Sequence, residues 1–215
     1  VQALLFQDGG LLVMGANILN MGLITAAIGY GLYRVVSSAS RRLKLALAGI
    51  AAWLSVMAGA LATALQLWLS GTSNLQTVTL AMLGVHALIG IGEALITVAA
   101  LTFILQTRPD LLDETSASAQ GGRGWVVAGV LISLAVVLLS PMASIDPDGL
   151  NRVAEDLGFL DSARSNSGPL AGYSIPFLEN TSTAKIVAGV FGALVVLGLV
   201  ILAGRSLQKK QQMGK

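Results

Sequence analysis

The chain has 215 residues, 54% of them hydrophobic and only 11% charged, with a mean hydropathy of +0.77 and a formal net charge of +2. A soluble domain carries about 25% charged residues, so the composition excludes a water-soluble globular domain and implies an integral membrane protein. There is no cysteine, which excludes a disulfide framework, a thiolate metal site and a redox motif.

Five apolar runs are long enough to cross about 30 Å of hydrocarbon at 1.5 Å per residue. They are Leu11–Tyr33, Leu45–Leu69, Thr77–Leu105, Trp125–Ser140 and Ile186–Ala203. The third is overlong and should tilt or extend past the bilayer; the fourth is short, with Trp125 and Pro141 marking its ends. The expected fold class is therefore all-α: a polytopic membrane helix bundle with about five transmembrane helices plus a short extracytoplasmic helical segment.

Before the first span lies the apolar stub Val1–Phe6. A secretory signal would show a basic start and a small-residue cleavage site. Neither is present, so the stub reads as the last turns of a helix that begins upstream. Gln7-Asp8-Gly9-Gly10 reads as a turn at the outer membrane surface, where Asp8 either caps the next helix or helps to attract cations. In the first span, Asn17 and Asn20 lie three residues apart on one helix face, and buried amides must find partners. Met14 and Met21 invite a soft-metal reading, although methionine is more often gap filler.

The third span holds only two ionisable groups, His86 and Glu93. They are seven residues apart, two helical turns, and so share a face. An ionisable group within a membrane segment costs roughly 2.5–3.5 kcal/mol even on lenient insertion scales, which marks a retained one as used. Three uses stand open: an interhelical hydrogen-bond network, direct contact with a substrate, or a proton relay. Neutral imidazole suits nickel, cobalt, copper and zinc, yet one histidine and one carboxylate are too few ligands for tight binding. The chain has no phosphate-binding loop, HExxH motif or nucleophile elbow, so no enzyme is expected.

Basic residues set the orientation. Arg34, Arg41, Arg42 and Lys44 lie in the first connection, Arg108 and Arg123 in the third, and Arg205, Lys209, Lys210 and Lys215 in the tail. Five spans place all three on one side, which predicts a cytoplasmic C-terminus. The opposite side carries Asp8, Asp146, Asp148, Glu155, Asp156, Asp161 and Glu179 against only Arg152, Arg164 and Lys185. The basic balance is therefore membrane topology, not a nucleic-acid surface. Gly22–Ala26, Ala58–Ala62, Ala188–Gly192 and Gly189–Ala193 have small-xxx-small spacing, read as close helix packing inside one chain.

The polar segment Pro141–Thr183 is predicted to lie outside. Asp146 is a candidate helix cap with Pro147 in the first turn. Leu150, Val153 and Leu157 form an apolar stripe, and Gly158 offers a left-handed stop. The composition from Ser162 to Gly172 reads as loop. Asn180-Thr181-Ser182 fits the glycosylation pattern weakly.

Phe6-Gln7-Asp8-Gly9-Gly10-Leu11, then Gly15-Ala16-Asn17-Ile18-Leu19-Asn20-Met21, then Val85-His86-Ala87-Leu88-Ile89-Gly90-Ile91-Gly92-Glu93-Ala94-Leu95-Ile96-Thr97 resemble the CbiM/NikM family. These are substrate-capture subunits of energy-coupling factor importers for cobalt and nickel. Pro147-Asp148-Gly149-Leu150 with Ala154-Glu155-Asp156-Leu157-Gly158-Phe159 resembles the PDGLE domain often fused to them, which is similar to the small CbiN/NikN partner; Asn151 stands where that motif has Glu. The resemblance implies a CbiM/NikM-like part over residues 1–120. It implies a PDGLE part over residues 121–215, with two spans flanking an outer loop at 141–184.

What the resemblance implies for function is a multi-pass subunit of the inner (plasma) membrane that captures Co²⁺ or Ni²⁺ outside and releases it to the cytoplasm. Its partners would be a transmembrane coupling protein and cytoplasmic ATPases, with membrane lipid around it and no cofactor of its own. In that family a Met-His N-terminus and a further histidine in an early loop bind the metal. Neither appears here, so the direct ligands are expected upstream. His86, Glu93, Asn17, Asn20 and Asp8 are then candidates for a supporting polar network. The rival from another class is a non-transporting membrane interaction or scaffold protein whose polar residues only stabilise the bundle.

Overall fold

The computed structural model describes residues 1–7, 9–36, 39–107, 124–143, 146–162, 170–175, 177–178 and 181–213. The architecture is all-α, with no strand among the described residues. A continuous helix over Gly10–Val35 comprises α1 (Gly10–Asn17), a π-helical stretch at Ile18–Leu23 and α2 (Ile24–Val35). It is followed by α3 (Arg41–Leu69), α4 (Leu75–Thr107), α5 (Gly124–Leu139), α6 (Gly149–Asp156) and α7 (Thr181–Met213).

Four of the five expected spans are long and apolar enough to cross a bilayer: Gly10–Val35, Arg41–Leu69, Leu75–Thr107 and Ser182–Leu207. The remaining one, the fourth, falls short: α5 has 16 residues, or about 24 Å at 1.5 Å per residue, and Pro141 turns the chain at Ser140–Met142. Large aliphatic side chains stand exposed along these helices, among them Leu12, Leu88 and Leu202. Water would disfavour such faces and hydrocarbon accepts them, so this is a membrane protein.

The described residues form two compact units that do not follow chain order. One comprises residues 1–14, 123–145 and 165–215, the other residues 15–122 and 146–164. In the first unit, the stub that reads from sequence as a helix remnant is a π-helical turn at Gln2–Phe6. Its Phe6 is buried, stacks on Tyr173 at 4.7 Å between ring centroids and lies against Gly192 of α7. Ala188 is buried and Val137 of α5 sits on Gly189, so the small residues of α7 are indeed packing positions. Gly22 has open space around it instead.

The second unit is built on the α3–α4 hairpin. Gly71 turns the chain with a φ of +73°, and the Asn74 side chain then accepts from the amides of Gln76 and Thr77, satisfying donors at the start of α4. Trp53 of α3 donates its indole N–H to the Ala87 carbonyl at 3.1 Å. The core gathers Ala60 and Ala64 of α3, Val78 and Met82 of α4, and Val153 of α6. Val153 is 1% exposed. A residue of the segment expected outside thus completes the core of a helical hairpin more than fifty positions earlier in the chain.

α6 starts two residues later than the sequence suggests. Asp148, not Asp146, is the N-cap: its backbone is extended and its Oδ1 accepts from the Asn151 amide at 2.9 Å. Pro147 precedes the cap, and Gly149 is the first helical residue. The stop is as expected. Gly158 has a φ of +75°, its amide donates to the Glu155 carbonyl, and the Phe159 amide reaches back to Ala154 at 3.0 Å. This pair of bonds is the Schellman pattern. The buried face is Gly149, Val153 and Ala154 with Leu157 partly covered, while Leu150 is 40% exposed.

Candidate functional site

His86 and Glu93 both belong to α4, and on an ideal helix they lie about 20° apart. The structure gives them different surroundings. His86 is half-buried, and its Nδ1 is 2.8 Å from the Met82 carbonyl oxygen. A carbonyl only accepts, so Nδ1 carries a proton and, in the neutral ring, Nε2 carries the lone pair. Gly149 covers the other edge of the ring. A Cβ built on Gly149 would stand 2.8 Å from His86 Cε1, 3.1 Å from Nε2 and 2.9 Å from Ile89 Cδ1. Only glycine lets α6 approach α4 this closely.

Glu93 lies two turns further along α4, exposed, near the middle of a 33-residue helix. Its carboxylate makes no hydrogen bond or ion pair with another described residue. The single face that the spacing suggests is therefore divided. The His86 end is covered by α6, and the Glu93 end faces outward.

The two asparagines also part. Asn17 is exposed and bonds to no other described residue through its side chain. Asn20 is 6% exposed and sits in the π-helical stretch. Its Nδ2 donates to Thr63 Oγ1 at 3.1 Å and to Gln66 Oε1 at 2.9 Å, and its Oδ1 accepts from Gln66 Nε2 at 3.0 Å. Thr63 in turn donates to the Gly59 carbonyl at 3.0 Å. The amide is thus paired at both ends, as a buried amide must be, and it fastens the first span to α3. π-bulges are frequent at functional positions, and Asn20 is the buried polar residue of this one. Asp8 lies outside the described residues, as do Arg108 and Arg123 of the orientation argument, Arg164, Glu179, Asn180 and Lys215.

Thr63 and Gln66 are the partners the sequence reading missed. They are polar residues three apart inside the apolar run Leu45–Leu69, the same signal that marked Asn17 and Asn20. Gly149 belongs to the Pro147-Asp148-Gly149-Leu150 motif, and nothing in its local sequence places it against His86. Among the described residues, no group of three or more His, Asp or Glu side chains is placed to hold a metal ion. His86 is brought together with α6 and Asn20 with α3, and no described contact joins the two.

Residues 1–111 match the family profile described as cobalt uptake substrate-specific transmembrane region, and residues 123–209 match the PDGLE domain. A putative fused nickel transport protein NikMN of Archaeoglobus fulgidus is 28% identical over 201 residues, 93% of this chain and 66% of its own. A probable fused nickel transport protein LarMN of Lactiplantibacillus plantarum is 35% identical over 156 residues, 66% of this chain and 45% of its own. The cobalt transport protein CbiM of Sorangium cellulosum is 36% identical over 119 residues, 53% of each chain. The chain thus spans less than two thirds of the length of these relatives. No solved structure matches it.

Proposed function

We propose a function from one premise: the chain belongs to the CbiM family of cobalt-uptake substrate-specific transmembrane regions, with a PDGLE domain behind it. In this reading the protein is part of the substrate-capture subunit of an importer for Co²⁺ or Ni²⁺. The ion is taken up on the side of loop 141–184 and released on the side of the C-terminus. Hydrolysis of ATP occurs in separate cytoplasmic subunits, joined through a transmembrane coupling protein. The two family matches in tandem carry this reading, and relatives named as fused nickel transport proteins support it.

The residues of this chain have supporting tasks in that process. Asn20, Thr63 and Gln66 fasten the first span to α3. His86 seats the helix of the PDGLE segment on α4. Glu93, ionisable and exposed within a span, costs roughly 2.5–3.5 kcal/mol if it meets only lipid. Its task is to meet a hydrogen-bond donor or cation on another transmembrane segment of the importer. The acidic balance of loop 141–184 raises the local concentration of cations at the capture face.

The test is metal accumulation in cells that express the complete reading frame, with and without the partner ATPases. The expected result is cobalt or nickel accumulation above the empty-vector level that disappears without the ATPases. Accumulation that persists without them, or that never exceeds the vector for either metal, refutes the proposal.

A further inference from the structure

A second place in the molecule, whose lining includes neither His86 nor Gly149, has room for a ligand. Between α2, α3 and α4 lies a cavity of about 340 Å³. Its walls include Gly29, Tyr33, Ala48, Ala52 and Ser55, and Lys44 stands at one end. Small residues make the room: alanine and glycine recur where α2 and α3 would otherwise fill the gap. Ser55 adds little polarity, because its hydroxyl already donates to the Ala51 carbonyl at 2.8 Å.

The shape and the charge together select the occupant. Lys44 and Ser55 both line the cavity on α3, eleven residues apart, so the space runs about 16 Å along the helix axis. It runs as an acyl chain would, from the end of a span toward its middle. A single flexible hydrocarbon chain suits a space of this length and volume. Lys44 is half-buried, and its side chain has no ion pair or hydrogen bond with another described residue. It lies in the first turn of α3, beside Arg41 and Arg42, at the membrane edge of the span. A cation is repelled there. A lipid phosphate is attracted there, and basic residues just beyond a span are the usual readers of anionic headgroups.

We propose that this cavity is a binding site for an anionic phospholipid of the membrane, one acyl chain lying between α2, α3 and α4 and the headgroup phosphate on Lys44. The lining includes none of His86, Glu93, Asn17 and Asn20, and the test does not depend on transport. The full chain is purified in mild detergent from membranes supplemented with equal amounts of phosphatidylglycerol and phosphatidylcholine, and the retained lipid is counted by mass spectrometry. Two variants accompany it. Lys44→Gln removes the charge. Gly29→Leu fills the cavity from a position where an added Cβ meets nothing within 4 Å, in a helix that leucine favours over glycine.

The wild type should retain phosphatidylglycerol over phosphatidylcholine. Lys44→Gln should lower phosphatidylglycerol retention about fivefold, the worth of one lysine at an anionic surface, and leave phosphatidylcholine unchanged. Gly29→Leu should lower both while helicity and melting temperature hold. Equal retention of the two lipids by the wild type overturns the proposal, as does undiminished phosphatidylglycerol on Gly29→Leu. Displacement of the lipid by soluble glycerol phosphate assigns the site to a free anion and also overturns it.

Discussion

Replacing Gly149 by alanine puts a methyl carbon 2.8 Å from His86 Cε1 and 2.9 Å from Ile89 Cδ1. The imidazole, held by its bond to Met82, does not yield easily, whereas Ile89 can turn its Cδ1 aside. Overpacking of this kind costs about 1–3 kcal/mol. Alanine recovers at most about 1 kcal/mol of helix propensity over glycine, and less at the first helical position. The balance favours α6 lifting from α4. The loss reads out as exchange of the amides of Asn151–Leu157, which open locally when α6 leaves the core; 1–3 kcal/mol raises their exchange about 5- to 150-fold. The contact can be isolated, because His86→Ala and Ile89→Val remove the obstructing atoms. In the His86→Ala/Ile89→Val background, Gly149→Ala should cost little further protection. If Gly149→Ala accelerates exchange equally in both backgrounds, close approach to His86 is not the reason for glycine at 149.

Four further outcomes follow from named contacts. Asn20→Ala strips three hydrogen bonds and takes from the Gln66 amide both of its described partners, so thermal stability in detergent should fall by about 1–3 kcal/mol, whereas the double change Asn20→Leu/Gln66→Leu should recover most of it. Gly158→Ala forces alanine into a left-handed turn at a cost of about 1–2 kcal/mol, visible as faster exchange at the Phe159 amide, which caps α6. Asn151→Glu should instead slow exchange across α6 by a factor of about 2–5, because Glu at the third helical position can return a bond to the Asp148 amide. Glu93→Gln should lower metal accumulation by the complete importer at unchanged membrane abundance, and Asn17→Ala should not; equal effects of the two would deny Glu93 a special role.

The span pattern was legible because hydrophobic length is a one-dimensional quantity. Four runs are membrane-length helices, and the short fourth run was marked by Pro141, which cannot continue a helix. Asn20 was legible as a polar residue that must be paired, but not its partner, since a contact 43 to 46 residues away leaves no local trace. The cap of α6 was misplaced because Asp146 and Asp148 are both good caps flanking one proline. The deciding factor was tertiary: starting the helix at Gly149 brings the one residue without a Cβ against His86. For the same reason the stripe slid, burying Val153 and Ala154 and leaving Leu150 exposed. Periodicity names a face, but the neighbour decides which edge of it is covered.

The sequence Pro147-Asp148-Gly149-Leu150 can now be read as a set of physical tasks. Pro147 disfavours helix at the residue before it, so the helix cannot extend N-terminal to the proline. Asp148 supplies the cap oxygen. Gly149 supplies the missing Cβ that admits the imidazole. The position after Leu150 is the third helical residue, where Glu would close a capping box; Asn151 has its amide bonded to Asp148, but its side chain returns nothing to a described residue. Each of these features fixes where α6 starts, and that start sets how deep Val153 reaches into the α3–α4 core. His86 accordingly belongs to the seating of this helix. A polar residue in a span that first suggests metal chemistry by its cost alone is held here by a backbone carbonyl on one side and a glycine on the other. Glu93, without either, is the residue whose cost the described chain leaves unbalanced.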